Sequence, residues 1–385
     1  MAQLKKPTRT PWSSAYPGGQ RPLNALIVTA FALFSAAGLY FMRIENAMNG
    51  VPIDFERVCT EGVWADGTPV KQTYTGIDAV DAAFRWLVPA FLTGPAGWDR
   101  GVQLEQIHFL VNFFAVVGIW NVEACRARNR GRALSYTAIW ALFYQTVAGA
   151  AIIPLYYLVY SVISRKHSYL RTGREVPLGQ ARALLPAIVI GYLVPTVALY
   201  VPRGNLDTTQ NLTALWQVAP LIPNVLLPVL APLFSSTTSA SPHSTAGAPA
   251  DVRHLKRIYL IVGVVTGLTH LATLYICWTS ENPQLSLSYV FLPNKGTWKD
   301  STALGLHYIF QWDFWIIYAS SILWCFVSIM DVERYVNGTL PMSYVAFSGI
   351  KLTLITLVAG PGAAMPFIWN QRENALLRIE ENNQK

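Results

Sequence analysis

Long apolar stretches separated by short polar segments dominate the chain from residue 24 to residue 368. A helix needs about 20 predominantly apolar residues to cross the hydrocarbon core of a bilayer. The predicted fold class is therefore an all-α, polytopic transmembrane helix bundle of about eight spanning helices, with seven to nine possible. It forms a single integral-membrane domain, residues 1–385. The predicted spans are residues 24–42, 103–121, 133–163, 181–201, 212–234, 255–278, 303–330 and 342–368.

The segments outside these spans have distinct compositions. Residues 1–22 predict a polar N-terminal tail, and residues 369–385 predict a polar C-terminal tail. Residues 45–102 are expected to form an extramembrane loop, whose apolar run at 81–93 is too short to span and predicts an interfacial or re-entrant helix. Serine, threonine, proline and alanine dominate residues 235–252, which is typical of a flexible loop.

The composition supports a membrane protein and excludes several other classes. The chain is 52% hydrophobic and 13% charged, whereas soluble domains carry about 25% charged residues. The net charge of +8 does not indicate nucleic-acid binding, because the basic residues form short clusters between apolar runs, where they orient a membrane protein. We therefore expect a multi-pass protein of the endoplasmic reticulum that contacts membrane lipids and no nucleic acid.

Two basic clusters, at residues 126–132 and 165–174, create a topological conflict. Basic loops favour the cytoplasmic side, yet these clusters flank the predicted third span and lie on opposite sides if that helix crosses once. Either one cluster violates the rule, or the short apolar run at 81–93 changes the number of crossings. The lysines and arginine of the N-terminal tail favour a cytoplasmic N-terminus.

An acidic residue, Asp313, lies within the seventh apolar run. A carboxylate at that depth costs about 2.5–3.5 kcal/mol by insertion scales, so we expect it to face the protein interior. Low-dielectric surroundings favour the protonated carboxyl group, which is a proton donor. Nearby aromatic rings, whose faces attract cations, belong to Phe310, Trp312, Phe314 and Trp315. This combination predicts acid-initiated carbocation chemistry; the alternative is a structural carboxylate that pairs with a buried base, caps a polar cluster or relays protons.

A second polar group opens the second apolar run. Glu105, His108 and Asn112 follow i, i+3, i+7 spacing and so share one helix face. This face predicts a polar wall of a cavity, with Glu105 as an acid or base and His108 as a substrate contact. In the alternative interpretation Glu105 is solvated at the helix end and His108 only pairs with it. The aromatic candidates for the same cavity are Trp120, Trp216, Trp312 and Trp315.

With these features, the chain resembles the fungal integral-membrane terpene cyclases of meroterpenoid and related isoprenoid pathways. The resemblance rests on Phe310-Gln-Trp-Asp313-Phe-Trp, on Tyr289-Val-Phe-Leu-Pro293 and on Glu105. It implies a helix bundle that uses no metal and no cofactor, and a lipophilic prenylated small-molecule substrate, either an epoxide or a plain alkene. It also implies two catalytic acids, carried over to Asp313 and Glu105. The sequence has no Asp-rich motif that would hold magnesium for a prenyl diphosphate, so cyclisation would start by protonation.

Two other functions remain open at this point. A sterol-type double-bond isomerase would use the same acid and aromatic residues to shift a double bond rather than close a ring. A receptor or transporter would not be an enzyme. Transporters often contain internal repeats with paired broken helices, and the sequence shows no clear repeat.

Overall fold

The computed structural model describes residues 19–201, 204–235 and 249–384. Within these ranges it contains helices and isolated β-bridges but no β-strand, which confirms the predicted all-α fold class. Most of the predicted N-terminal tail, residues 1–22, and of the predicted flexible loop, residues 235–252, lies outside the described residues.

Apart from single turns, the helices of the described ranges follow one another along the chain without intervening strands. In chain order they are α1 (Asn24–Asn49), α2 (Phe55–Glu61), α3 (Asp78–Leu92), α4 (Arg100–Cys125), α5 (Thr137–Thr146), α6 (Gly149–Ile163), α7 (Leu178–Leu199), α8 (Leu206–Ser235), α9 (Ala250–Thr279), α10 (Leu287–Phe291), α11 (Thr302–Asn337), α12 (Met342–Ala359) and α13 (Pro361–Gln384). In the described part of the chain, seven helices are long and apolar enough to cross a membrane, within the predicted range. These seven are α1, α4, α7, α8, α9, α11 and α12.

Helix α4 forms the centre of the bundle, and nearly all of its side chains from Val102 to Glu123 are buried. Helices α7, α9, α11 and α13 pack around it. By contrast, α1, α8 and α12 leave most of their apolar side chains uncovered by protein. Such large apolar surfaces are unfavourable in water and suit contact with lipid.

The predicted third span, residues 133–163, is broken into two helices rather than forming one. Helix α5 ends at Thr146, and α6 begins at Gly149. At about 1.5 Å per residue, α5 is about 15 Å long, only half of the hydrocarbon thickness. The segment is therefore a helical hairpin with its tip inside the bundle.

Both ends of this hairpin lie at one end of the bundle. Backbone hydrogen bonds join the segment before α5 to the segment after α6: Ala127 donates to Glu175 (3.0 Å) and Arg128 donates to Gly173 (3.0 Å). The two basic clusters are consequently neighbours, and the conflict with the positive-inside rule disappears. We call this the arginine-rich end of the bundle.

The predicted eighth span, residues 342–368, contains a second break. Helix α12 ends at Ala359, and α13 begins at Pro361 and returns toward the arginine-rich end. Gly360 joins them with a φ of +88°, a conformation that favours glycine. A Cβ at this position would also lie 2.7 Å from the His270 side chain.

Of the predicted polar C-terminal tail, residues 369–385, the described residues 369–384 belong to α13, and several side chains of their first two turns are buried. Trp369, Arg372 and Glu373 are all at most 1% exposed. Glu373 accepts hydrogen bonds from Arg126 (2.6 Å) and Arg174 (2.8 Å). The buried charges of this segment are neutralised by partners from distant parts of the chain, which lets a polar sequence pack inside the bundle.

Residues 45–102 lie at the opposite end of the bundle from the arginine-rich end. Their longest helix, α3, takes in most of the predicted short apolar run and packs on α8. The Asp81 carboxylate orders the loop before it by accepting the backbone N–H groups of Thr75 (2.8 Å) and Gly76 (3.0 Å). Whether this segment lies outside the membrane stays a prediction.

Candidate functional site

A cavity of about 530 Å³ lies between α1, α3, the tip of the α5–α6 hairpin and α11. Its size falls within the roughly 300–1,000 Å³ of small-molecule sites. Helix α11 contributes one face with i, i+3, i+4, i+7 spacing: Leu306, Ile309, Phe310 and Asp313. Asp313 therefore faces the protein interior, as the sequence predicts.

The N-terminus of α6 holds the Asp313 carboxyl group. The backbone N–H of Ala150 donates a hydrogen bond to Asp313 Oδ1 at 2.5 Å. This close approach requires Gly149, because a Cβ there would lie 3.0 Å from Oδ1. Among the described residues, Oδ2 receives no hydrogen bond and remains accessible to a bound molecule. One oxygen is thus anchored by a helix terminus, while the other is available for chemistry.

Arg43 binds the other side of the helix break. Its Nε donates to the Val147 carbonyl (2.8 Å), and its Nη2 donates to the Thr146 carbonyl (3.1 Å), at the C-terminus of α5. Arg43 lies in a π-helical turn of α1, Tyr40–Ile44, is exposed and lines the cavity. Such turns are frequent at functional sites.

Sequence reasoning missed Arg43, because it directly follows the predicted span 24–42 and looks like an ordinary flanking base. The local sequence gives no signal for its role, because Ile44 is followed at once by the polar Glu45 and Asn46. The hairpin tip also contributes Gln145 to the cavity. Together with Asp313, these side chains form a small set of polar groups in a largely apolar site.

Glu105 is completely buried in α4, and neither of its carboxyl oxygens has a hydrogen-bond partner among the described residues. Glu105 lies about 30 Å along α4 from Cys125, which is at the arginine-rich end. Asp331 of α11 is at the same end, where it accepts a hydrogen bond from Arg21. Asp313 lies about 27 Å along α11 from Asp331. The two candidate acids are thus at similar depth.

An aromatic layer connects the two acids. Phe310 lines the cavity, and its ring lies 6.4 Å from that of Phe109, one helical turn from Glu105. Glu105 itself does not line the cavity around Asp313. A continuous site that includes both carboxyl groups therefore stays a prediction, and it requires a bound molecule to extend past Phe310.

His108 ends a hydrogen-bonded chain through His270. The Leu357 carbonyl can only accept, so His270 Nε2 donates to it (3.1 Å). With both rings neutral, His270 Nδ1 then accepts from His108 Nε2 (2.9 Å). This leaves His108 Nδ1 with a lone pair, and it is buried without a partner in the described structure. The arrangement presents His108 Nδ1 as a proton acceptor on the same helix face as Glu105.

The candidate tryptophans Trp216 and Trp120 are both buried but occupy different places. Trp216 donates to Thr196 Oγ1 (3.0 Å), and its ring lies 5.1 Å from Phe91, which lines the cavity. Trp120 stacks on Tyr156 at 3.7 Å, deeper in the bundle. Trp216 therefore backs the cavity wall, whereas Trp120 belongs to the aromatic core.

The candidates Trp312 and Trp315 point away from the cavity. Trp312 stacks on Phe41 at 3.8 Å, and Trp315 is 43% exposed on the outer surface. Successive residues of a helix are rotated by about 100°, so the direct neighbours of Asp313 in sequence do not share its face. Aromatic side chains that do line the cavity are Phe55, Trp86, Phe91, Tyr144 and Phe310.

The chain is similar to fungal proteins named as terpene cyclases. It is 24% identical over 378 residues to a protein named terpene cyclase ascI from Acremonium egyptiacum, covering 95% of this chain and 92% of the relative. It is 27% identical over 374 residues to terpene cyclase DEP1 from Alternaria brassicicola, covering 90% and 98%.

A third relative is much larger than this chain. The protein named FAD-dependent monooxygenase verC1 from Penicillium polonicum is 26% identical over 267 residues, covering 68% of this chain and 31% of the relative. No solved structure matches the chain. The family model described as the CtvD domain matches residues 27–377. Since this match takes in nearly all of the sequence, the chain belongs to the CtvD-domain family.

Proposed function

We propose that the protein is a membrane-bound terpene cyclase that acts on a lipophilic, prenylated substrate. The observation that carries this proposal is Asp313 in an aromatic-walled cavity, with one carboxyl oxygen held by the Ala150 N–H. The names of the relatives ascI and DEP1 support the same reaction class. The uncovered apolar faces of the long helices support membrane attachment, for which the endoplasmic reticulum remains our prediction.

The reaction begins with proton transfer from the free oxygen of Asp313. The proton adds to an epoxide oxygen, the epoxide C–O bond breaks, and positive charge develops on carbon. The π electrons of a nearby alkene then form the new ring bond. The rings of Trp86, Tyr144 and Phe310 offer their faces to the cation along this path. Preorganised π density stabilises the developing charge without the reorganisation that water would need.

The last step returns a proton to the protein. Loss of a proton from the final cation forms an alkene, so the product has the same mass as the substrate. His108 Nδ1 and the Glu105 carboxyl group are buried acceptors without partners in the described residues. They serve as base and electrostatic partner for this step when the prenyl chain reaches past Phe310 towards α4.

An epoxide is a better starting point than a plain alkene. Flavin enzymes perform oxygen chemistry, and a monooxygenase can convert an alkene to an epoxide. A region similar to this chain occupies about a third of verC1, which is named an FAD-dependent monooxygenase. A protein that combines both regions would form the epoxide next to the site that opens it.

The test compares Asp313→Asn with the natural protein in microsomes. The substrates are linear prenylated aromatics and their epoxides, and the products are analysed by mass spectrometry. The amide keeps the shape of the carboxyl group but cannot deliver a proton. Turnover per folded molecule should fall at least ~10²-fold, the lower range for general acid catalysis.

Asp300→Asn is the matched control, because Asp300 is an exposed acid just before α11. It should retain normal turnover. Unchanged turnover for Asp313→Asn would refute the proposed mechanism. A product heavier by one water would indicate epoxide hydrolysis instead of cyclisation, and a shifted double bond without a new ring would indicate an isomerase.

A further inference from the structure

A second cavity, of about 740 Å³, lies at the arginine-rich end, far from Asp313. The loop after α4 and the segment after α6 form its walls. Arg128, Arg132, Arg165 and Lys166 line it, together with one acid, Glu175. Four cationic side chains against one carboxylate give the cavity a net positive charge.

Arg128 forms the base of this cavity, and its side chain is only 4% exposed. Within the described ranges none of its three guanidinium nitrogens has a hydrogen-bond partner. Glu123 Oε2 lies 3.7 Å from Nη2, which makes an ion pair but is too far for a hydrogen bond. An arginine has five N–H donors, and leaving buried donors unpaired is unfavourable.

The neighbouring arginines show that this situation is specific to Arg128. Glu123 Oε1 accepts from Arg126 (2.6 Å) and from Arg372 (3.0 Å), whereas Oε2 makes only the long ion pair with Arg128. The Arg128 guanidinium instead lies 4.6 Å from the centre of the Tyr169 ring. It is a fixed, oriented cation with an ion-pair partner in Glu123 and, among the described residues, no hydrogen-bond acceptor.

The rest of the lining indicates the chemistry of the missing acceptor. Arg132, Arg165 and Lys166 are exposed around the fixed guanidinium. Val162 and Ile163, at the end of α6, add an apolar edge, and Val162 is 41% exposed on the outer face. A planar guanidinium with surrounding cations suits a phosphate group, and the apolar edge suits an attached acyl chain.

We propose that this cavity binds a phosphate-bearing anion, the headgroup of an anionic phospholipid whose acyl chain lies along Val162 and Ile163. Basic pockets on membrane proteins recognise lipid headgroups by this chemistry. The bound phosphate supplies acceptors for Arg128 and links the loop after α4 to the end of the α5–α6 hairpin. The site is independent of the reaction proposed for Asp313.

The experiment measures lipid binding to the purified full-length protein in detergent by native mass spectrometry. The probes are phosphatidic acid, phosphatidylcholine and inorganic phosphate. Phosphatidic acid should bind, and phosphatidylcholine should bind at least ~10-fold more weakly, because its headgroup carries no net charge. Arg128→Gln should weaken phosphatidic acid binding at least ~10-fold, as expected for the loss of charge-assisted hydrogen bonds.

Arg253→Gln is the control, since Arg253 is exposed at the same end of the molecule and does not line the cavity. It should bind phosphatidic acid normally. If Arg128→Gln does not fold, the double substitution of the exposed Arg165 and Lys166 by glutamine tests the same site, and it should also weaken binding several-fold.

Equal binding of both lipids, or equal binding by the control and the cavity variants, would overturn the proposal. Competition by inorganic phosphate at the same site, with no preference for the lipid, would support a phosphate site but reject its assignment to a phospholipid.

Discussion

Gly149 offers the sharpest test of the link between the helix break and the chemistry. In Gly149→Ala the new Cβ would lie 2.7 Å from Ile317 Cδ1, and 3.0 and 3.1 Å from the two Asp313 carboxyl oxygens. The Ile317 methyl group can rotate away, but the carboxyl group must recede by a few tenths of an ångström. This movement lengthens the 2.5 Å hydrogen bond from Ala150.

The expected magnitude follows from this displacement. Misplacement of a reacting group by about 1 Å can cost about 10²-fold in rate, so a shift of roughly half that distance predicts a fall of about 10-fold. Gly149→Val should lose more activity, because its branched side chain pushes further. Both variants should retain the fold, since the hairpin has other contacts with α1 and α11.

The assay is turnover of a prenylated epoxide, normalised to folded protein from size-exclusion chromatography. Gly118→Ala is the matched control: its Cβ would make ordinary contacts, 3.4 Å from Ile188 and 3.5 Å from Val262, in the buried helix α4. It should keep normal turnover. Adding Gly149→Ala to Asp313→Asn should cause no further loss, because both changes act through the same carboxyl group. Gly149→Ala turnover within twofold of the control would refute the reasoning.

Three further changes have distinct expected outcomes. Glu105→Gln should lower turnover at least several-fold with normal yield of folded protein, whereas a yield loss with normal turnover would show a purely structural carboxyl group. His270→Leu removes the acceptor of the His108 Nε2–H. The alkene product should then fall about 10-fold relative to the product in which water adds to the final cation. An unchanged product ratio would exclude a role of the hydrogen-bonded chain from His108 to His270 in the last proton transfer. Glu373→Gln removes one of the buried carboxylate partners of Arg126 and Arg174 and leaves them Glu123 and Asp251. It should cost about 3 kcal/mol, the low end for breaking a buried ion pair, seen as a lower melting temperature, while the exposed Glu381→Gln should not change it.

The sequence alone determined the all-α class and the position of most spans. Apolar runs of about 20 residues have few stable arrangements other than membrane helices, because the backbone must satisfy its hydrogen bonds internally. The sequence also singled out Asp313, since a carboxylate within such a run is rare enough to be informative without a structure.

Hydropathy did not reveal that residues 133–163 turn back on themselves. The break between Thr146 and Gly149 carries no charge and no proline, so its apolar sequence looks continuous. The backbone groups at this break are satisfied by Arg43 and Asp313, which come from α1 and α11. A break stabilised by residues distant in sequence cannot be read from the local pattern.

The same limit applied to the aromatic side chains and to the arginines. Trp312 and Trp315 are closest to Asp313 in sequence, yet the helical rotation turns them away, and Tyr144 and Phe91 reach the cavity from other elements. Arg126 and Arg128 belong to one basic cluster in the sequence, but only Arg126 has its guanidinium hydrogen-bonded to buried carboxylates. Sequence determines which groups exist and where apolar helices form. Only tertiary packing decides which charges meet a partner and which remain available, because that depends on distances between helices far apart in the chain.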